Sequence, residues 1–151
     1  MEWREMDELK SDVYQLIRQA FIELEITVHQ LMNQFNLTAT QCWALMHLEN
    51  PEGLPLSELA FLLMQDKSNM TSLADRLEKE GLAIRKFGKN GDRRYIRIVL
   101  TEQGQEVRSH LAASYDALIN ERLKRLSEES LSDLRYRLQE LIHELQSHSE
   151  P

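Results

Sequence analysis

The stretch Leu56–Leu100, LSELAFLLMQDKSNMTSLADRLEKEGLAIRKFGKNGDRRYIRIVL, alternates helical and extended patterns in an order that decides the fold. Leu56, Leu59, Ala60, Leu63 and Met64 recur at three- and four-residue spacing, which places them on one apolar helix face. Pro55 fits the first turn of that helix, where a missing N–H leaves nothing unsatisfied. Gln65 and Asp66 interrupt the apolar run, and the Asp66 carboxylate can cap a second helix running from Lys67 to about Glu80. Met70, Leu73, Ala74 and Leu77 form the apolar side of this helix, and Gly81 ends it because a glycine accepts positive φ without penalty. Two strands follow: Leu82 and Ile84 alternate with Ala83 and Arg85, then Ile96, Ile98 and Leu100 alternate with Tyr95, Arg97 and Val99. Between them KFGKNGDRR (86–94) supplies two glycines and an asparagine for turning and a run of cations. Helix, turn, helix and basic hairpin in this order make a winged helix-turn-helix.

The polar side of the second helix offers Lys67, Ser68, Asn69, Thr71, Ser72, Asp75 and Arg76. These side chains are short, hydrogen-bonding or cationic, the chemistry that reaches base edges and phosphates in a major groove. Any helix has a solvated face, so composition alone assigns this one no role. Its place after a turn and before a wing makes it a candidate recognition surface. Arg76, near the helix end, suits a phosphate better than a base. Charge supports the reading once the chain is divided. The chain has 18 Lys/Arg against 25 Asp/Glu, net −7. Residues 65–97 hold nine Lys/Arg against five Asp/Glu, a local +4, which leaves −11 for the remainder. A basic contact face on an acidic body fits a duplex DNA partner and disfavours contact outside that face.

At this point the chain resembles the MarR family of bacterial transcription regulators. The resemblance rests on Glu58-Leu59-Ala60, Asp66-Lys67-Ser68, Asp75-Arg76-Leu77-Glu78-Lys79-Glu80-Gly81-Leu82, Asp92-Arg93-Arg94 and Leu100-Thr101-Glu102-Gln103-Gly104, in family order and spacing. With the flanking helices it extends over nearly the whole chain. The turn lacks a glycine, and the wing is slightly longer than usual and lacks its common proline. The resemblance implies a dimeric regulator in which the wing arginine, here Arg94, enters the minor groove and is held by Asp92. Lys89 and Arg93 belong to the same wing and complete the candidate DNA-binding set of Lys67, Ser68, Asn69, Thr71, Ser72, Arg76, Lys89, Asp92, Arg93 and Arg94. Without that context Asp92 and Arg94 would read as an exposed surface pair worth about 0–1 kcal/mol. The resemblance also implies a small aromatic or apolar effector, bound between the dimer helices and the DNA-binding lobe, that changes the spacing of two recognition helices. An effector does this only by binding the two spacings with different affinity.

The rest of the chain reads as helices. From Met6 to Phe35 a long helix carries Leu9, Val13, Leu16, Ile17, Ala20, Phe21, Leu24, Val28, Leu31 and Phe35 on one broad stripe, closed by Asn36 and Leu37. Thr38 and Gln41 form a T-x-x-Q capping box for a helix to about Glu49, with Cys42, Leu45 and Met46 on its core side and Trp43 a further candidate there. Asn50-Pro51-Glu52-Gly53 signals a turn. Thr101 caps a helix with Val107, Leu111, Tyr115, Leu118, Ile119, Leu123 and Leu126, and Ser127 caps a last one with Leu131, Leu134, Leu138, Leu141, Ile142 and Leu145. The expected architecture is therefore mainly α with a small β-hairpin wing: one domain over 1–151, with helices 6–35 and 102–146 for dimerisation around a lobe at 38–100. The terminal helices carry more apolar surface than one small domain uses. A helical cap on the same chain is one explanation; an intertwined homodimer reading two half-sites is the preferred one.

Other functions find little purchase. No nucleophile elbow, phosphate loop or metal motif accompanies the Ser, His and acidic residues, so the expectation is no enzyme, cofactor or metal site. His29, His47, His110, His143 and His148 form no pair at helical ligand spacing. Cys42 is the sole cysteine, which excludes an intrachain disulfide, and its core-side position suits a packed thiol. The acidic start MEWREMDELK lacks an apolar signal segment, and no run approaches the roughly 20 apolar residues that span a bilayer, so a cytoplasmic location without membrane contact is expected. The rival reading is a winged-helix protein that binds protein rather than DNA; the basic 65–97 segment argues against it.

Overall fold

The computed structural model describes residues 2–88 and 95–147. In chain order the elements are α1 (Glu2–Phe35), α2 (Ala39–His47), β1 (Leu54–Pro55), α3 (Leu56–Leu62), α4 (Lys67–Lys79), β2 (Ala83–Lys86), β3 (Arg97–Leu100), α5 (Glu102–Leu123) and α6 (Glu128–Ser147). This is the mainly helical, winged architecture expected. The chain divides into two compact units, Met1–Tyr115 and Asp116–Pro151.

In the first unit, local signals fix the helix ends. Thr38 and Gln41 close the capping box on α2: the Thr38 N–H donates to Gln41 Oε1 at 2.9 Å, and the Gln41 N–H donates to Thr38 Oγ1 at 3.3 Å. Asp66 Oδ1 accepts from the Asn69 N–H at 2.7 Å and starts α4. The Thr101 hydroxyl accepts from the Gly104 N–H at 3.0 Å and donates to the Gly81 carbonyl at 2.5 Å, so it caps α5 and ties its start to the end of α4. Three helices terminate through one hydrogen-bond pattern, in which an N–H reaches back five residues: Leu37 to Met32, Gln65 to Ala60 and Leu82 to Leu77. The residue before each donor has positive φ, namely Asn36 at 54°, Met64 at 50° and Gly81 at 73°. Asparagine and glycine are at home there. Methionine is not, because its Cβ crowds the carbonyl.

Met64 corrects one expectation. Spacing places it with Leu56 and Leu59 on the apolar face of the first motif helix, yet it is 94% exposed, because that helix stops at Leu62 and Met64 forms the turn itself. Glycine at position 64 should therefore stabilise the protein by about 0.5–1 kcal/mol, the relief of the left-handed strain less the entropy of a freer unfolded chain. Thermal unfolding of Met64→Gly should show a melting temperature about 1–4 °C higher. A lower one would mean that the side chain makes a contact worth keeping.

The core of this unit lies where α2, α3, α4, β3 and α5 meet. Leu45, Leu48, Leu59, Met70, Leu77, Ile98 and Leu111 are all less than 2% exposed. Met70, Leu73, Ala74 and Leu77 are buried together, as their spacing predicts. The strands form one antiparallel sheet in the order β1-β3-β2, with Leu54 opposite Ile98, Ala83 opposite Leu100 and Arg85 opposite Ile98. The residue pattern predicts two strands. The third, β1, is two residues long, and its proline is tolerated because β1 is an edge. The alternation of β2 is also the reverse of that expected. Ala83 is buried and Arg85 half-buried on the α4 side, while Ile84 is 45% exposed on the other. Arg97 faces the Asn50–Gly53 turn, where it donates to the carbonyls of Glu52 at 3.0 Å and Gly53 at 2.7 Å.

The long α1 begins at Glu2, earlier than the apolar periodicity indicates. Its stripe divides in two: Val28 and Leu31 are buried, whereas Leu9, Val13, Leu16, Ile17, Phe21 and Leu24 are exposed. In the second unit, Ser127 Oγ accepts from the Ser130 N–H at 3.1 Å and caps α6 as expected. Leu134, Leu138 and Ile142 of α6 are exposed. Among the described residues no helix is long and apolar enough to cross a membrane.

Candidate nucleic-acid interface

Helix α4 has two stripes of opposite character. With one stripe sealed against the core, Lys67, Ser68, Asn69, Thr71, Ser72 and Arg76 are all exposed. The Asp66 cap holds the first turn and also sets its polar groups. Asn69 Nδ2 donates to Asp66 Oδ2 at 3.3 Å, a long contact on an exposed amide that an incoming acceptor can replace. The Thr71 hydroxyl donates to the Lys67 carbonyl at 3.0 Å, which leaves its lone pairs and methyl facing outward. The helix therefore presents an amide, three hydroxyls and two cations on the side away from the core. Lys89, Asp92, Arg93 and Arg94 lie outside the described residues.

Two features were not foreseen. The first is Arg85 of β2, which lies across α4 at the edge of the exposed stripe. Its Nη2 donates to Asp75 Oδ1 at 2.6 Å and to the Thr71 carbonyl at 3.1 Å, and its Nη1 pairs with Glu78 Oε2. The Arg85 N–H donates to Glu78 Oε1 at 2.8 Å. The readable signal was an arginine at an alternating strand position following two acidic residues three apart on the preceding helix. The second is Gln41. Beyond its capping role it is 2% exposed and donates from Nε2 to Glu80 Oε2 at 2.7 Å, at the end of α4.

Between α3, the start of α4 and the base of the hairpin lies an open groove of about 750 Å³, lined by Pro55, Leu56, Ala60, Met70 and Phe87, with Lys67 among its polar residues. Beside α2, the apolar cluster of Val28, Leu31, Cys42, Trp43, Leu111 and Tyr115 encloses only about 10 Å³. Trp43 and Tyr115 meet edge to face there, with ring centroids 5.9 Å apart. Cys42 is buried in this cluster, and burial pushes its thiol above the ordinary value. That is the opposite of what an activated thiolate needs. Among the described residues no group of three His, Cys, Asp or Glu could hold a metal ion.

A helix held by its apolar stripe, open along its polar stripe, preceded by a helix and turn and followed by a hairpin, defines a winged helix-turn-helix DNA-binding protein. The MarR family model matches residues 37–96. Over 103 residues the chain is 33% identical to the HTH-type transcriptional regulator SarZ of Staphylococcus aureus, covering 68% of each protein. It superposes on AbsC, a MarR family transcriptional regulator from Streptomyces coelicolor, with a TM-score of 0.72 and 28% identity, over 88% of this chain and 94% of that one. It also superposes on NadR in complex with 4-hydroxyphenylacetate, with a TM-score of 0.69 and 26% identity, over 83% and 88% of the two chains. The chain belongs to the MarR family and is a DNA-binding transcription regulator.

Proposed function

We propose that two copies of this chain act together as a ligand-responsive repressor on a pseudo-palindromic operator. In this reading Ser68, Asn69, Thr71 and Ser72 read the major groove. Lys67, Arg76, Lys89 and Arg93 hold phosphates, and Arg94, held by Asp92, enters the minor groove. The observation that carries it is the exposed polar stripe of α4 opposite a fully buried one. The residues form one functional domain, in which 38–100 bind DNA while 6–35 and 102–146 dimerise. Dimerisation is supported by the exposed leucines, valine, isoleucine and phenylalanine of α1, too large an apolar surface to leave in water. Such a regulator works where the chromosome lies, in the cytoplasm.

The effector in this reading is a small aromatic or apolar molecule, supported by the 4-hydroxyphenylacetate bound to NadR. The cluster around Trp43 and Tyr115 encloses far less space in one chain than the roughly 300 Å³ or more of a ligand pocket. A site there needs a second chain or a shift of α2.

Selection from a random duplex pool tests the operator and assembly together. The recovered sequences should contain two inverted half-sites about one helical turn, roughly 10 bp, apart. Sedimentation at micromolar concentration should give twice the chain mass. A stable monomer that protects one asymmetric half-site, indifferent to spacer length, would reject the dimeric reading.

A further inference from the structure

Arg85 is only 15% exposed as a side chain, yet it belongs neither to the core nor to the candidate DNA-contacting set. It bridges two elements that must work together. Its guanidinium takes the Asp75 carboxylate, the Glu78 carboxylate and the Thr71 carbonyl, three acceptors along one stripe of α4. Its own N–H, on the outer edge of β2, is taken by Glu78. The wing's first strand is thus locked to the recognition helix through both backbone and side chain. A guanidinium is suited to this because its donors lie in a fixed planar fork, so partners in different directions fix an orientation and not only a distance. The arrangement has an electrostatic side as well. Asp75 is exposed at 65% and neighbours Arg76 on the helix, so without a counter-charge it would repel a phosphate backbone.

We propose that Arg85 is a positioning residue for DNA recognition, one that sets the angle between α4 and the wing and neutralises the carboxylates beside the DNA-facing stripe. This rests on the proposal above that α4 and the wing engage one duplex together. Arg85 acts through Thr71, Asp75 and the wing and does not itself meet the duplex.

The test titrates four full-length proteins, the wild type, Arg85→Met, Arg85→Lys and Arg85→Met with Asp75→Asn and Glu78→Gln. Each is titrated with a duplex chosen from the random pool and with its single-base variants, at two salt concentrations. Arg85→Met should weaken the best duplex by about 30-fold or more and compress the spread among single-base variants, while the salt slope stays within about one ion of wild type. The triple variant should regain part of the affinity, because its carboxylates are gone, but not the discrimination. Arg85→Lys should fall between, since an ammonium keeps the charge and loses the fork. If Arg85→Met does not fold, Arg85→Lys carries the test by losing discrimination at an unchanged salt slope.

Folded Arg85→Met or Arg85→Lys with wild-type discrimination overturns the proposal. So does a uniform loss across all sequences with a slope reduced by about two ions, one from each copy, which would make Arg85 a phosphate contact. Loss of binding that merely follows a lowered melting temperature, and disappears on cooling, also overturns it. Failure of the wild type to bind any duplex would instead overturn the operator reading beneath it.

Discussion

Gly104→Ala should lower the melting temperature by about 6–12 °C, the counterpart of about 3 kcal/mol of overpacking. Gly104 stands in the first turn of α5, where its N–H donates to the capping hydroxyl of Thr101. A Cβ at this position would lie 1.8 Å from the Leu82 carbonyl oxygen and 2.8 Å from its carbon. Those atoms cannot retreat easily. The Leu82 carbonyl accepts from the Thr101 N–H at 3.1 Å, and the Leu82 N–H closes the end of α4 through the Leu77 carbonyl at 2.9 Å. The methyl must therefore push apart the end of the recognition helix, the root of the wing and the start of α5 at once. Gly81 provides the contrast. Its added Cβ would meet only the Gln103 Oε1 at 3.2 Å, the end of a movable side chain, so Gly81→Ala should cost only the left-handed conformation, about 1–2 kcal/mol. Calorimetry of both variants checks the order. A Gly104→Ala protein melting within about 2 °C of wild type would show that the three elements are less tightly joined than their backbone contacts indicate.

The largest effect on binding should come from salt. If each of two copies sets Lys67, Arg76, Lys89 and Arg93 on phosphates, about eight contacts form, and the slope of log K against log salt should be near −7. Between 50 and 200 mM salt the affinity should then fall by about 10⁴-fold. Asn69→Ala or Thr71→Ala should leave that slope alone and change preference at particular base pairs, by about 1–3 kcal/mol where a good contact is lost. Fluorescence titration at four salt concentrations separates the two classes. A slope near zero would remove the basic segment from the contact surface and favour a protein partner for this lobe.

The recognition helix was fully legible in the sequence. Its cap at Asp66, its four buried residues, its exposed stripe and its end at Gly81 are each set by residues within a turn or two of one another. What escaped depends on partners far away in the chain. Ile84 looks more buriable than Arg85, and strand alternation alone turns the isoleucine inward; the two carboxylates of α4 reverse it. The strand Leu54–Pro55 is too short to carry any period and exists because β3 offers an edge. The turn at Met64 shows no glycine, so its left-handed conformation leaves no mark in the residue types. For α1 the apolar stripe was read correctly as a stripe, but periodicity says which face is apolar and not what covers it. Most of the stripe lies bare in the single chain.

The hydrogen bond from Gln41 to Glu80 places the fulcrum of a lever. It ties the far end of α4 to α2, while the residues proposed to meet DNA begin at the near end. Thirteen residues make an arm of about 20 Å. A tilt of about 5° at Glu80 would carry the Lys67 end sideways by about 1.7 Å, more than the roughly 0.5 Å window of hydrogen-bond lengths. If α4 meets a major groove as proposed, a shift of that size at the tip of the arm would be the difference between a base edge in reach and one out of reach. Glutamate at position 41 would satisfy the capping box equally well, but it would set two carboxylates against each other at the pivot.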